Sequence, residues 1–341
     1  MQRTSATFRR PTMREVAQTA NVSISTVSRV MSDHPDVREE TRASVQKIID
    51  SMGYRPSVLA RSLVLKRTNS LGLLVSDITN PFYPQLAKEI EHAASERGWV
   101  VIIGHTDRDS SRTQSHVDAM LERAVDGIIF GSTTSYDRAV PRLLEAGYPI
   151  VLVNRRHPSA DANSVTADNV LGARMATRHL AALGHRRIGH IAGPDWAANA
   201  VDRESGYVQA LTEAGLPLDS ELISHDEFSV TGGASAAGRL LALPDRPTAM
   251  FVTNDMMALG ALEAIKDAGL RCPDDVAVVG FDDIELASSR LIELSTVSHR
   301  SYEMGTRAVD ILLDQIIAGP TEAPVQEVLT PKLIIRGTCG G

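Results

Sequence analysis

The chain has 341 residues, is 43% hydrophobic and 23% charged, and carries a formal net charge of -7. A chain of that length can bury one small and one large core. No apolar run approaches the roughly 20 residues of a membrane span, and the polar opening from Met1 to Arg10 lacks the hydrophobic centre of a signal peptide, so the expected compartment is the cytoplasm. Cys272 and Cys339 are the only thiols and have no metal-type spacing, which excludes a disulfide framework.

The charge is unevenly spread. Residues 1–68 hold 12 Lys and Arg against 6 Asp and Glu, a balance of +6, which leaves -13 for the remainder. A basic head on an acidic body suits a protein that meets nucleic acid at one end. Within that head, Thr12-Met13-Arg14-Glu15 has the form of a capping box, in which two side chains satisfy free amides of a starting helix. Met13, Val16, Ala17 and Ala20 then repeat at three and four residues and give one apolar face that ends near Asn21. Ser23 is placed to cap a second helix running to about Met31, with Val27 and Val30 inward and Ile24, Ser25, Ser28 and Arg29 outward. A third amphipathic helix carries Val45, Ile48, Ile49 and Met52 on one face and stops at Gly53. Such a trio is either a plain helical bundle or a helix-turn-helix, and the outward face favours the second. The fork of Arg29 matches guanine O6 and N7, Ile24 and Ser25 stand where base edges are reached, and Ser28 and Thr41 suit phosphates.

The run Val22-Ser23-Ile24-Ser25-Thr26-Val27-Ser28-Arg29-Val30, followed by Glu40-Thr41-Arg42 and Gly53-Tyr54-Arg55-Pro56, resembles the lac and galactose repressor family. The likeness extends from Thr12 along nearly the whole chain. Asn21, Ser32 and Arg38 depart from it, standing where Gly, Asn and a capping Ser are common. The resemblance implies a DNA-binding surface of Thr12, Ser23, Ile24, Ser25, Ser28, Arg29, Thr41, Tyr54, Ala60 and Leu63. Residues 56–68 form a weak apolar stripe too short to be a stable helix alone. By resemblance they become a hinge helix on DNA, pair with the dimer mate and wedge Leu63 into the minor groove; the alternative is a tethering linker with Leu63 packed on the body. The implied domains are a flexible arm over 1–11, a DNA-binding head over 12–55, a hinge over 56–68 and an effector-binding and dimerisation domain over 69–341.

From Leu71 onward, short apolar runs alternate with longer helical patterns. The patterning predicts strands over 71–75, 100–103, 127–130, 150–153, 188–192, 250–253 and 276–280, and helices over 85–97, 171–183, 203–214 and 256–268, with Arg203 opening the third helix. That alternation predicts an α/β body whose parallel sheets are covered by helices on both faces and bind ligands outside their carboxyl ends. The fold class expected is therefore a small all-α helix-turn-helix head plus an α/β body. The resemblance makes the body a type I periplasmic-binding-protein-like pair of doubly wound lobes, crossed three times by the chain. It implies an N-lobe over about 69–165 and 299–327 and a C-lobe over about 166–298 and 328–341.

Doubly wound sheets also host enzymes. No Gly-x-x-x-x-Gly-Lys-Ser/Thr, no Gly-x-Gly-x-x-Gly opening a helix after a strand, no Gly-x-Ser-x-Gly and no His-Glu-x-x-His occurs here. His179, His185 and His190 cluster in sequence, yet His185 and His190 straddle the turn into a strand, which favours structural roles over a metal site. No catalytic residue, cofactor or metal is expected. Polar residues do stand where a cleft should open: Asn154, Asn254 and Asp282 each follow a predicted strand. The resemblance adds Arg203 as the effector clamp, Phe228 as a stacking aromatic, and Ser76, Asn80, Phe82 and Tyr83 as the lining of the first lobe. Arginine, carboxylate and amides around an aromatic suit a sugar or similar polyol; an internal ion pair of Arg203 with Asp282 and core packing of Phe228 is the competing reading.

The protein expected from all this is a homodimeric repressor of a palindromic double-stranded operator, controlled by a sugar-like small molecule, with no membrane partner and no heptad helix after Arg336 to join two dimers. A solute-binding protein without DNA function, or an enzyme on the same sheets, is the alternative.

Overall fold

A computed structural model describes residues 11–31, 34–54, 67–131, 138–157, 161–319 and 323–340. The chain divides into two units, Met1–Thr68 and Asn69–Gly341.

The first unit holds α1 (Met13–Thr19), α2 (Ile24–Met31) and α3 (Glu39–Met52). The capping box forms: the Thr12 amide donates to Glu15 Oε2 at 2.7 Å, and the Glu15 amide donates to Thr12 Oγ1 at 3.3 Å. Ser23 Oγ accepts the Thr26 amide at 3.1 Å and so caps α2. Between the two helices Asn21 takes φ 51°, a left-handed conformation that Asn tolerates better than most side chains. Arg38 precedes α3 with no side-chain cap, and the acidic pair Glu39 and Glu40 in the first turn faces the positive end of the helix dipole. Gly53, at φ 60°, ends α3. Val16, Ala17, Val27, Val30, Val45, Ile49 and Tyr54 close one small core, each helix supplying its apolar face.

The second unit alternates strands and helices. In chain order these are β1 (Ser70–Val75), α4 (Phe82–Glu96), β2 (Val100–His105), α5 (Ser110–Glu122), β3 (Gly127–Phe130), α6 (Ala139–Glu145), β4 (Ile150–Val153) and β5 (Ser164–Ala167). There follow α7 (Asn169–Ala182), β6 (Ile188–Ala192), α8 (Ala198–Glu213), β7 (Ile223–His225), α9 (Val230–Leu241), β8 (Ala249–Val252), α10 (Asp255–Asp267), β9 (Ala277–Asp282) and β10 (Ser295–Ser298). The last elements are α11 (Ser301–Ala318), β11 (Gln326–Leu329) and β12 (Lys332–Ile334). Among the described residues they make two six-stranded sheets, ordered β11-β5-β4-β3-β1-β2 and β12-β10-β9-β8-β6-β7. Every pairing is parallel except that of β12 with β10. The chain leaves the first sheet after Ala167, returns after Ser298 and leaves again after Leu329.

β3 and β4 are buried throughout, as strands covered on both faces must be. On the second sheet α9 and α10 touch backbone to backbone. A Cβ on Gly233 would lie 2.0 Å from Met257 O, and one on Gly260 would lie 1.9 Å from Val230 O, so neither position admits a side chain without moving a helix.

All seven predicted strands and four predicted body helices are present, within a few residues at their ends. One start is displaced: α8 begins at Ala198, which places Arg203 in its second turn, because Ala197 offers no side-chain cap to mark the beginning. β5, β7, β10, β11 and β12 escaped the apolar-run criterion. β10 reads Ser-Thr-Val-Ser yet is almost wholly buried, its Thr296 hydroxyl donating to Asp255 Oδ1 at 2.6 Å. The three histidines are dispersed: His179 meets Cys339 Sγ, His185 meets Thr248, and His190 lies between the rings of Tyr207 and Phe251.

Candidate functional site

On the head, α2 separates core from surface. Val27 and Val30 are buried, while Ile24, at 44% exposure, shares the outward face with Ser25, Ser28 and Arg29. Ser23 and Thr12 hold the starts of α2 and α1, so each has a role in the fold itself. Thr41 is half-buried in the first turn of α3. Tyr54 is 7% exposed and belongs to the core, and burial pushes its hydroxyl pKa up. Ala60 and Leu63 lie outside the described residues.

In the body, the strand ends converge on an inner chamber of about 20 Å³. Asn80, Phe82, Tyr83, Asn154, Arg203, Phe228, Asn254 and Asp282 all line it. Ser76 is fully buried at the end of β1, does not line the chamber, and its Oγ has no partner. Backbone conformation helps to aim these groups. Asn154 sits at φ 64° directly after β4, and Asp282 and Asp283 at φ 121° and 56° at the end of β9. Strained backbone of this kind is kept where surrounding structure enforces it, and it concentrates at binding sites.

Arg203 is the hub. Its side chain is 2% exposed, and its Nε donates to Asn169 Oδ1 at 2.9 Å. Its NH1 donates to Thr253 O and reaches Asp282 Oδ1 at 3.4 Å, and its guanidinium lies 3.7 Å from the centre of the Phe281 ring. His299 Nε2 stands 2.7 Å from the same Asp282 oxygen and 3.2 Å from Arg203 NH2. A carboxylate oxygen only accepts, so the shorter contact puts the ring proton on Nε2, and that nitrogen cannot also accept from Arg203. Burial lowers the pKa of both Arg203 and His299, and the Asp282 carboxylate opposes this in each case. The ion pair anticipated between Arg203 and Asp282 is thus present, inside the site. Asn80 and Asn254 use their Oδ1 atoms on the amides of Phe82 and Met257, which leaves their NH2 groups for a guest.

The structure adds residues the sequence did not single out. Arg108, Arg155 and Asn199 also line the inner chamber, and Trp196 packs edge-on against Phe228 at 6.1 Å between the guanidinium groups of Arg108 and Arg155. Arg155 and Asn199 had a signal: one adjoins Asn154 at a strand end, the other stands one helical turn before Arg203. A second chamber of about 460 Å³ shares Asn154, Arg155 and Asn199 with the first and is walled by the segments that pass between the sheets. Next to both, polar atoms are buried without partners: Asn154 Oδ1, Arg155 Nε and Asn199 Oδ1. Three of the ten such atoms among the described residues therefore adjoin these chambers, where a guest could supply the missing partners.

Residues 12–57 match the lacI family of bacterial regulatory proteins, and residues 177–339 match a periplasmic binding protein-like domain. The chain is 36% identical over 330 residues to the ribose operon repressor of Escherichia coli, spanning 96% of this chain and 99% of that protein. It is also 36% identical over 330 residues to the transcriptional regulator DegA of Bacillus subtilis, spanning 95% and 97% respectively. The chain belongs to the lacI family. The structure of the lac repressor dimer bound to operator and the anti-inducer ONPF superposes with a TM-score of 0.87 at 28% identity, covering 97% of this chain and 99% of that one. The complex of the regulator CelR with cellobiose gives 0.73 at 34%, covering 96% and 100%. The lacI-family head and the two-lobed parallel-sheet body make this chain a DNA-binding transcriptional repressor with an effector-binding domain, in a family that is not enzymatic. No helix among the described residues is long and apolar enough to cross a membrane.

Proposed function

We propose that this repressor binds a palindromic operator as a cytoplasmic homodimer, and that a sugar-like polyol in the interlobe cleft sets its operator affinity. The observation that carries the effector class is the group of orphaned atoms beside the two chambers. Asn154 Oδ1 and Asn199 Oδ1 accept, Arg155 Nε donates, and sugar hydroxyls do both. Phe228, on the lining of the inner chamber, adds an aromatic ring for the C–H side of a sugar. The named relatives point the same way, since one represses a ribose operon and another is a cellobiose complex.

Coupling follows from volume. About 20 Å³ has room for roughly one water, so a sugar ring in the inner chamber requires the lobes to part. A ligand shifts a conformational equilibrium by the difference in its affinity for the two states. A guest that fits only separated lobes therefore biases whatever the lobes are joined to. The experiment is an anisotropy titration of the full chain against duplex DNA from its own upstream region, with and without single sugars. Two chains should bind each symmetric duplex, one sugar should change the affinity at least tenfold, and Phe228→Ala should lose that change while keeping sugar-free operator affinity. A chemically unrelated metabolite acting where no sugar does would reject the effector class; binding by a persistent monomer would reject the dimer.

A further inference from the structure

α8 begins beside the 460 Å³ chamber without a cap. Ala197 supplies no side-chain acceptor, and the first helical bonds run from the amides of Ala200 and Val201 to Ala197 O. The amides of Ala198 and Asn199, both on the chamber wall, come before those bonds at the positive end of a 16-residue helix. The neighbouring start is different: α7 is capped by Asp168, whose Oδ1 accepts the Leu171 amide at 2.9 Å.

Arg155 faces the same space. It is 9% exposed, its Nε has no hydrogen-bond partner, and no carboxylate among the described residues lies within ion-pair distance of it. Its guanidinium carbon lies 5.9 Å from the centre of the Trp196 ring. A buried, unneutralised guanidinium is costly to keep, and a planar fork beside uncapped amides is the arrangement that recognises phosphate or carboxylate oxygens. Asp168 and Asp202 together match Arg155 and Arg156 in formal charge, so the pull on an anion is local to the Arg155 fork and the α8 amides; Asp168 Oδ1 is turned to the Leu171 amide of α7.

We infer that the effector carries an anionic group, a phosphate monoester or a carboxylate, seated between the Arg155 guanidinium and the first amides of α8, with the rest of the molecule extending past Asn154 and Asn199 toward the inner chamber. The inference rests on the cleft being the effector site and narrows the effector from a neutral sugar to a sugar phosphate or sugar acid. A chamber of about 460 Å³ takes a molecule of that size.

The test uses the full chain, with thermal shift and calorimetry in inorganic phosphate or in gluconate, each against chloride at matched ionic strength. At least one of the two anions should raise the melting temperature of the wild type. Protection by phosphate alone assigns a phosphate monoester, and protection by gluconate alone assigns a carboxylate. Arg155→Gln should weaken that binding roughly tenfold or more, the loss expected for a charged hydrogen-bonding partner, and Arg155→Lys should fall between. Arg155→Gln should also melt, without anion, at or above the wild-type temperature, because it removes an unpaired buried charge. Three results overturn the inference: no protection by either anion, protection that survives Arg155→Gln undiminished, or a marked loss of ligand-free stability in that variant. Failure of the sugar reading looks different, since anions would still bind through Arg155 while neutral sugars leave operator affinity unchanged.

Discussion

The outward face of α2 and the interlobe cleft both carry polar side chains, and they carry them in opposite ways. On α2 the apolar and polar residues lie on opposite sides of one helix: Val27 and Val30 hold the head together, while Ile24, Ser25, Ser28 and Arg29 face outward. In the cleft the candidate binding groups also bind one another. Arg203 joins α8 to Asn169, to the end of β8 through Thr253 and to the end of β9 through Asp282. Recognition and stability are therefore separable by mutation on the head and entangled in the body.

The strongest challenge to that contrast is Arg203→Ala. Truncation leaves the buried Asp282 carboxylate with only the neutral His299 ring donating to it and deprives Asn169 Oδ1 and Thr253 O of a donor. Breaking a buried pair by removing one member costs about 3–5 kcal/mol. The full chain should unfold at markedly lower urea concentration, and its effector response should vanish with it. A variant as stable as the wild type would show that the network serves the ligand alone.

His190 sharpens the comparison through pH. It lies wholly buried between Tyr207 and Phe251, and its Nδ1–H donates to Phe251 O at 3.0 Å. Burial pushes its pKa down from 6.5 to about 4. Above pH 6.5 the ring is neutral folded or unfolded, and its stabilising contribution is complete. Between 6.5 and about 4 the unfolded chain takes up a proton that the folded chain refuses, so stability falls, by about 3 kcal/mol across the whole window. His299 is shifted in the same direction by burial and adds to the fall. Unfolding free energies measured from pH 7 to 4.5 should slope downward, and His190→Phe should remove about one proton's share, near 1.4 kcal/mol per pH unit. An unchanged slope in that variant would mean that His190 titrates normally.

The same contrast explains what could be read from the sequence. The head was legible in detail, because capping residues and a 3.6-residue period mark Met13, Ser23 and Gly53 directly. The two-sheet body was legible where strands were apolar. It was hidden where buried strands used Ser and Thr, as in β10, since hydroxyls that find partners in the core look like surface in one dimension. Asn154, Asn254 and Asp282 could be picked out as polar residues after apolar runs. Arg108 and Trp196 could not, because the contact between them joins residues 88 positions apart in the chain. Arg155 was visible as a residue, yet its lack of a partner is a property of three dimensions.

The smallest effect on stability should come from Arg29→Ala, and it is the cleanest measure of the separation. Arg29 lies on the outward face of α2, one residue before the buried Val30. Alanine is the better helix former, and exposed substitutions away from caps and cores usually change stability by about 0.5 kcal/mol or less. Operator affinity should respond differently. Loss of a bidentate guanine contact costs about 1–3 kcal/mol and relaxes the choice of base at one position in each half-site. Titrating the variant against the operator and against duplexes changed at single base pairs distinguishes two roles. Weakening confined to one position assigns Arg29 to a base; equal weakening on every duplex, with a shallower salt dependence, assigns it to phosphate. A drop in thermal stability of the head as large as the drop in affinity would break the separation itself, because Arg29 would then be holding α2 in place as well as reading DNA with it.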